Sequence, residues 1–176
     1  MLASLGQKTR VLSFLDKYLT IKFMEKHRIT VVLPSIRSLF NVGSFFRTAD
    51  ATAVEKIYCC GTTGTPKNKK LLKVSLGSEL TVPWEYAADP MTCVLQLQKA
   101  GYQIVVVEKT KQSTLYTQIK YSNKVALIFG SETCGVSELL LQQANVVAHL
   151  PMFGKKNSLN VAVVGGVLLY YLRSLD

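Results

Sequence analysis

The sequence predicts an α/β protein: an open parallel sheet flanked by helices on both faces. Three observations carry this. Five short apolar runs, over residues 29–33, 56–60, 104–107, 125–129 and 146–150, alternate with helical stretches. The runs are continuous and rich in β-branched residues rather than alternating, as in strands covered on both faces. Several also end abruptly in glycine, proline or small polar residues, where loops at the carboxyl edge of such a sheet hold ligands.

Residues 29–33 form a strand that Pro34 terminates, and residues 41–54 form a helix with Phe45, Ala49 and Ala53 on one stripe. The strand over 56–60 follows. A helix over 91–100 is closed by Gly101 as a left-handed cap, and strands over 104–107, 125–129 and 146–150 complete the five, with a helix over 137–144. The last helix, over 158–173, is apolar nearly all round, which predicts burial on every face. Gly165 and Gly166 inside it cost roughly 1 kcal/mol each relative to alanine, and close approach of another backbone is the expected offset. Together these features predict a homodimer through the C-terminal helix. Before the first strand, residues 4–26 read as an amphipathic helix, so the chain divides into an extension over 1–28 and a domain over 29–176. That helix either packs on the body or adds its basic residues to a nucleic-acid surface.

Composition narrows the function. At 176 residues the chain supports one core without disulfides or metal, and 48% apolar against 18% charged residues is globular. A net charge of +10 points to a polyanionic partner. No run reaches the ~18 apolar residues of a membrane span, and polar breaks stop a signal peptide from forming, so a cytoplasmic protein without a membrane partner is expected. Cys59, Cys60, Cys93 and Cys134 lack C-x-x-C spacing, which argues against zinc, and Cys59 and Cys60 read as core residues. No G-x-G-x-x-G follows a strand, the Gly61–Lys70 segment does not match a phosphate-binding P-loop, and His27 and His149 lack triad partners. Lys67, Lys69, Lys70 and Lys73 are either a solvated loop or a contact for RNA phosphates.

Three motifs remain, each in a loop or helix start after a strand: N-x-G-x-x-x-R from Asn41 to Arg47, G-S-E-x-x-G from Gly130 to Gly135, and P-M followed by S-L-N from Pro151 to Asn160. In this order and spacing the chain closely resembles the SpoU-type (TrmH-like) branch of the SPOUT RNA methyltransferases, from about Ile29 to the C-terminus. The resemblance implies a SPOUT fold with a C-terminal deep trefoil knot, S-adenosyl-L-methionine as methyl donor bound in a bent form, no metal, and an obligate dimer. It implies methylation of a ribose 2′-hydroxyl in structured RNA, tRNA or rRNA. A non-catalytic RNA-binding dimer and a base-directed methyltransferase of the same superfamily are the rival readings. For the site, it places Glu108, Thr110, Gly130, Glu132, Gly135, Leu150, Met152, Ser158 and Leu159 around the donor. It makes Arg47, Asn41, Glu132, Ser158 and Asn160 the catalytic set. Arg47 either serves as general base or binds phosphate and steadies the oxyanion, and its alternative is a surface pair with Asp50. Asn41 and Ser158 are each either helix caps or site residues, whereas Asn160 points into the site. Glu132 orients the loop or Asn160.

Overall fold

The computed structural model describes residues 26–131 and 133–176. The helix expected over residues 4–26 therefore lies outside the described residues, apart from Lys26. The elements run β1 (Arg28–Pro34), α1 (Leu39–Ala51), β2 (Lys56–Cys60), α2 (Lys69–Ser75), α3 (Ser78–Thr81), β3 (Trp84–Ala87), α4 (Pro90–Lys99), β4 (Gln103–Val107), β5 (Thr114–Leu115), β6 (Lys124–Phe129), α5 (Glu138–Leu141), β7 (Val146–His149) and α6 (Val161–Arg173). One seven-stranded sheet has the order β3-β2-β1-β6-β4-β7-β5, and each of its strand pairs is parallel.

All five expected strands are present. The two additional ones, β3 and β5, are the sheet's edges. Edge strands need no apolar run: β3 reads Trp-Glu-Tyr-Ala and is largely exposed, and β5 is two residues long. The helix boundaries also shift. Ser38, rather than Asn41, caps α1, its side chain accepting from Asn41 N at 3.3 Å. The expected helix over 137–144 contracts to Glu138–Leu141. The last helix begins at Val161 because Asn160 caps it, accepting from Ala162 N at 2.9 Å and Val163 N at 3.3 Å.

Alternate residues of the central strands serve two cores. Ile29, Val31 and Leu33 of β1 with Leu127 and Phe129 of β6 pack under α1 and α6. Val32, Ile104, Val106, Ala126 and Ile128 pack under α4 and Leu140. Both faces are thus covered, which is why the strands carry no polar alternation. Cys59 and Cys60 are fully buried, and burial pushes the Cys59 thiol up to about 12. Cys60 Sγ lies 3.9 Å from Cys93 Sγ in the second core.

Within the chain, α6 is covered on one face. Gly165, Leu168, Leu169 and Leu172 are buried against the chain's own body, while Val163, Val167 and Tyr170, one turn apart in succession, are exposed by 52%, 37% and 59%. The cause of Gly165 is likewise internal: a Cβ there would lie 2.3 Å from Phe45 Cε1 on α1. That ring in turn sits 4.9 Å from Phe129 of β6. At the far end of α6, the Arg173 guanidinium donates to the carbonyls of Thr52 (2.5 Å), Ala53 (2.8 Å) and His27 (2.7 Å) and to Asp176 Oδ2 (2.8 Å). Burial raises the Asp176 carboxyl, but the bonds from His27 and Arg173 outweigh it and leave the group below its ordinary value.

The two glycines should therefore respond oppositely. Gly165→Ala should destabilise by about 1–3 kcal/mol, because the methyl group overpacks against Phe45. Gly166→Ala meets only Thr48 Cγ2 at 4.0 Å and should stabilise by about 0.5–1 kcal/mol through helix propensity. Urea unfolding of the two variants beside wild type checks this.

Candidate active site

The carboxyl ends of β4, β6 and β7 open into a cavity of about 560 Å³, within the range of small-molecule sites. Its apolar wall includes Val107, Phe129, Ala148 and Leu150 from the strand ends and Val161 and Val164 from the first turns of α6.

The loop after β6 forms one side. Ser131 and Gly135 exchange backbone hydrogen bonds of 3.1 and 3.0 Å and so pair as the two ends of a hairpin. Two glycines make this possible. Gly135 has φ +64°, and a Cβ on Gly130 would lie 2.4 Å from the Gly135 carbonyl carbon. Glu108, just past β4, fixes the hairpin from outside: its Oε2 accepts from Val136 N at 3.2 Å and its Oε1 from Lys109 N at 3.0 Å. Backbone donors hold this carboxylate in place, so it presents a fixed negative charge on the cavity wall.

The segment between β7 and α6 forms the other side, with Met152, Ser158, Leu159 and Asn160 on the cavity. Asn160 has two duties. Its Oδ1 caps α6 while its Nδ2 donates to Asn41 Oδ1 on α1 at 3.1 Å. This bond joins the first and third motifs across 119 residues of chain. Ser158 is exposed and, among the described residues, makes no hydrogen bond, so it is not the cap.

Seven of the residues expected around the donor line this one cavity: Glu108, Gly130, Gly135, Leu150, Met152, Ser158 and Leu159. Glu132 lies outside the described residues. Thr110 is not among the lining residues; its hydroxyl and backbone close a turn with Gln112 and Ser113. Asn41 reaches the site through Asn160. Arg47 is exposed two turns along α1 and, among the described residues, has no ion pair. The alternative pairing with Asp50 is not formed, since Asp50 Oδ1 accepts from Thr81 Oγ1 at 2.5 Å. Lys67, Lys69, Lys70 and Lys73 lie on the loop and helix beyond β2, two strand positions from β6, exposed and in no ion pair among the described residues.

His149 is the last residue of β7. It lines the cavity, and its buried Nδ1 has no hydrogen-bond partner among the described residues. Leaving such a group unsatisfied costs on the order of 1–3 kcal/mol, which a polar atom of a ligand would offset. Its position directly before Leu150-Pro151-Met152 was the available signal. Apolar walls, aligned backbone groups, the Glu108 carboxylate and this imidazole suit a flat heterocycle carrying polar substituents, and so fit the adenosyl part of the implied donor.

A parallel α/β sheet with a small-molecule cavity at the carboxyl ends of adjoining strands, bounded by a glycine hairpin and a capped helix, defines a class of ligand-binding α/β domain. The SpoU rRNA Methylase family model matches residues 28–170, and the chain belongs to that family. It is 30% identical over 146 residues to the 23S rRNA (guanosine(2553)-2′-O)-methyltransferase RlmP of Bacillus subtilis, covering 83% of this chain and 58% of that protein. It is 29% identical over 143 residues to the tRNA (guanosine(18)-2′-O)-methyltransferase of Aquifex aeolicus, covering 81% and 67%. An AdoMet-bound rRNA methyltransferase structure from Sinorhizobium meliloti superposes with a TM-score of 0.78 at 28% identity, covering 85% of this chain and 57% of that one. The chain thus spans little more than half the length of the Bacillus and Sinorhizobium proteins.

The observed cap, Asn160, and the expected one, Ser158, separate by stability. Asn160→Ala should cost about 1 kcal/mol, the value of an N-cap. Ser158→Ala should stay within about 0.5 kcal/mol of wild type, as for an exposed side chain without a partner. Thermal unfolding monitored by circular dichroism measures both.

Proposed function

We propose that the chain is an S-adenosyl-L-methionine-dependent methyltransferase that modifies a ribose 2′-hydroxyl in structured RNA, either tRNA or rRNA. The observation that carries this is the joining of all three motifs at one place. The glycine hairpin and the segment from Pro151 to Asn160 enclose the cavity, and Asn160 ties α1, with Arg47, to its rim. The names of the Bacillus and Aquifex relatives, one acting on rRNA and one on tRNA, support the reaction and leave the RNA open.

S-adenosyl-L-methionine, when bound, supplies a methyl group on a positively charged sulfur that already makes a good leaving group, so the reading invokes no metal. Backbone groups around Gly130, Gly135, Leu150 and Leu159 would hold the adenine and ribose, with Glu108, Met152 and Ser158 completing the wall. A sugar hydroxyl is a poor nucleophile at neutral pH, so the protein must align it and stabilise the oxyanion that develops. Arg47 suits that role as a permanently charged planar donor: it binds the adjoining phosphate and the developing 2′-oxyanion, while the proton leaves to water. Deprotonating the guanidinium to make it a base is far more costly. Asn41 and Asn160 keep α1 in register with the cavity.

Further parts of the reading are finer. The domain over residues 29–176 carries the chemistry, and the extension over 1–28 adds basic contacts to RNA. The C-terminal segment forms the deep trefoil knot; support comes from its return after β7, an interior strand, to pack on α1. The dimer forms through the exposed stripe of Val163, Val167 and Tyr170, which is apolar enough to need a cover. The protein works in the cytoplasm; no helix of the described residues is long and apolar enough to cross a membrane.

Arg47→Ala tests the chemical assignment. Single-turnover methylation of total tRNA and rRNA with labelled donor should slow by at least ~100-fold, the scale for removing one transition-state donor. Calorimetric donor affinity should stay within about twofold, because Arg47 does not line the cavity. Arg47→Lys should recover little, since a point charge lacks the planar fork. A variant as fast as wild type would remove Arg47 from the mechanism. Inactivity of the wild type on every RNA would restore the non-catalytic reading.

A further inference from the structure

A second cavity, of about 520 Å³, lies on the other side of the sheet's carboxyl edge, between the loop after β2 and the edge strand β3. Trp84 and Tyr86 line it together with Thr63, Thr65, Lys67 and Asn68. Nothing in the donor cavity uses these residues. Neighbouring strands are spaced ~4.8 Å apart, so the centre of this cavity is roughly 15–20 Å from the first.

Its construction is specific. Trp84 and Tyr86 stand two residues apart on one strand and so project from the same face. Trp84 is anchored against the core under α1, whereas the Tyr86 ring is 53% exposed, an unusual position for an aromatic residue beside a cavity. The opposite wall is rigid. Thr63 is buried, its hydroxyl donating to Leu33 O at 2.6 Å and accepting from Ile36 N at 2.8 Å, which pins the loop to the end of β1. Asn68 Oδ1 accepts from Lys70 N at 3.0 Å and starts α2. Lys67 lines the cavity, and Lys69, Lys70 and Lys73 follow on α2; none has an ion pair among the described residues. The nearest carboxylate on β3, Glu85, projects from the opposite face and is engaged by Lys56 at 3.3 Å.

Two flat aromatic rings at a preformed cavity, edged by unneutralised ammonium groups, match one kind of ligand: a planar base attached to a phosphodiester. We propose that this cavity is a stacking subsite for an unpaired nucleotide of the RNA substrate, several nucleotides from the ribose that is methylated. The base stacks on Tyr86 and Trp84, and Lys67 meets its phosphate. Such stacking tolerates any base, because every base has a π-face. α1, with Arg47 on its exposed side, packs on α2 and on α6 and so lies between the two cavities. The RNA would therefore cross α1 between its anchored base and its reacting sugar. The inference rests on the RNA reading above, and it adds a second point of attachment that selects substrates with a flexible segment near the target.

Trp84 is the chain's single tryptophan, so its fluorescence reports on this cavity alone. The full chain is titrated with a single-stranded oligoribonucleotide of mixed sequence, with an abasic ribose-phosphate strand of equal length, and with AMP. The RNA should quench Trp84, and the abasic strand should bind more weakly by roughly 5- to 150-fold, the range for loss of one base–aromatic stack, without quenching. Tyr86→Ala should weaken RNA binding by a similar factor and leave binding of the abasic strand unchanged. Lys67→Ala should weaken both strands equally and lower the salt slope by about one unit. Because Tyr86 is exposed, its variant should fold even where a Trp84 substitution does not. Equal affinity for RNA and abasic strand with unchanged fluorescence would overturn the proposal. So would quenching by AMP at the concentrations at which RNA acts, which would make the cavity a free-nucleotide site. Methylation assayed in parallel separates the two readings. Methyl transfer with a silent Trp84 sinks the subsite alone, and quenching without methyl transfer on any RNA sinks the enzyme reading alone.

Discussion

The packing of α6 across α1 is the contact on which the rest of the molecule depends. The two helices come from opposite ends of the described chain and are fastened at three points. Gly165 admits the Phe45 ring at the crossing, Arg173 gathers the carbonyls beyond the end of α1, and Asn160 reaches Asn41 at the start. Leu168, Leu169 and Leu172 fill the space over the sheet between these points. The same helix supplies Val161 and Val164 to the cavity wall, so the crossing also sets where that wall stands.

The chemistry follows from that placement. α6 begins at the cavity, so its cap residue is also a cavity residue, and a side chain that starts a helix is held to within the precision of helix geometry. The glycine hairpin is positioned in a comparable way, from outside, by Glu108, whose Oε2 accepts from Val136 N while its Oε1 is held by Lys109 N. Preorganised groups of this kind need no rearrangement when a ligand enters, which is the usual source of catalytic advantage in positioning and electrostatics. Arg47 differs from them. It is exposed and has no ion pair among the described residues, a costless arrangement in water and one that leaves its five donors available to a phosphate. On the proposed reading, the work is divided between a preorganised donor cavity and an exposed cationic side chain on the neighbouring helix.

Much of this was legible in the sequence, and the misses have physical causes. The central strands announced themselves because burial on both faces demands continuous apolar runs. β3 and β5 did not, because an edge strand is defined by its partner: Thr114 and Leu115 are a strand only through Ala148 and His149. The start of α6 was placed too early because Ser158 is a good cap by type, whereas the cap is Asn160, which also bonds to Asn41 far away in the chain. The two glycines of α6 looked equivalent, yet Gly165 answers to Phe45 while Gly166 faces nearly open space. The three motifs were visible because each ends or begins an element. Their convergence, and the open nitrogen of His149 between them, required coordinates. The aromatic pair at Trp84 and Tyr86 was hidden for the same reason as β3 itself.

The central claim is the atom that receives the methyl group. It is tested most directly by incubating the protein with unfractionated RNA and a deuteromethyl-labelled donor, digesting the RNA to nucleosides and locating the label by mass spectrometry. The account predicts label on the ribose of one nucleoside, released with the sugar fragment and absent from the base. Label on a base would contradict it, and would move the chain to the base-directed branch of its superfamily.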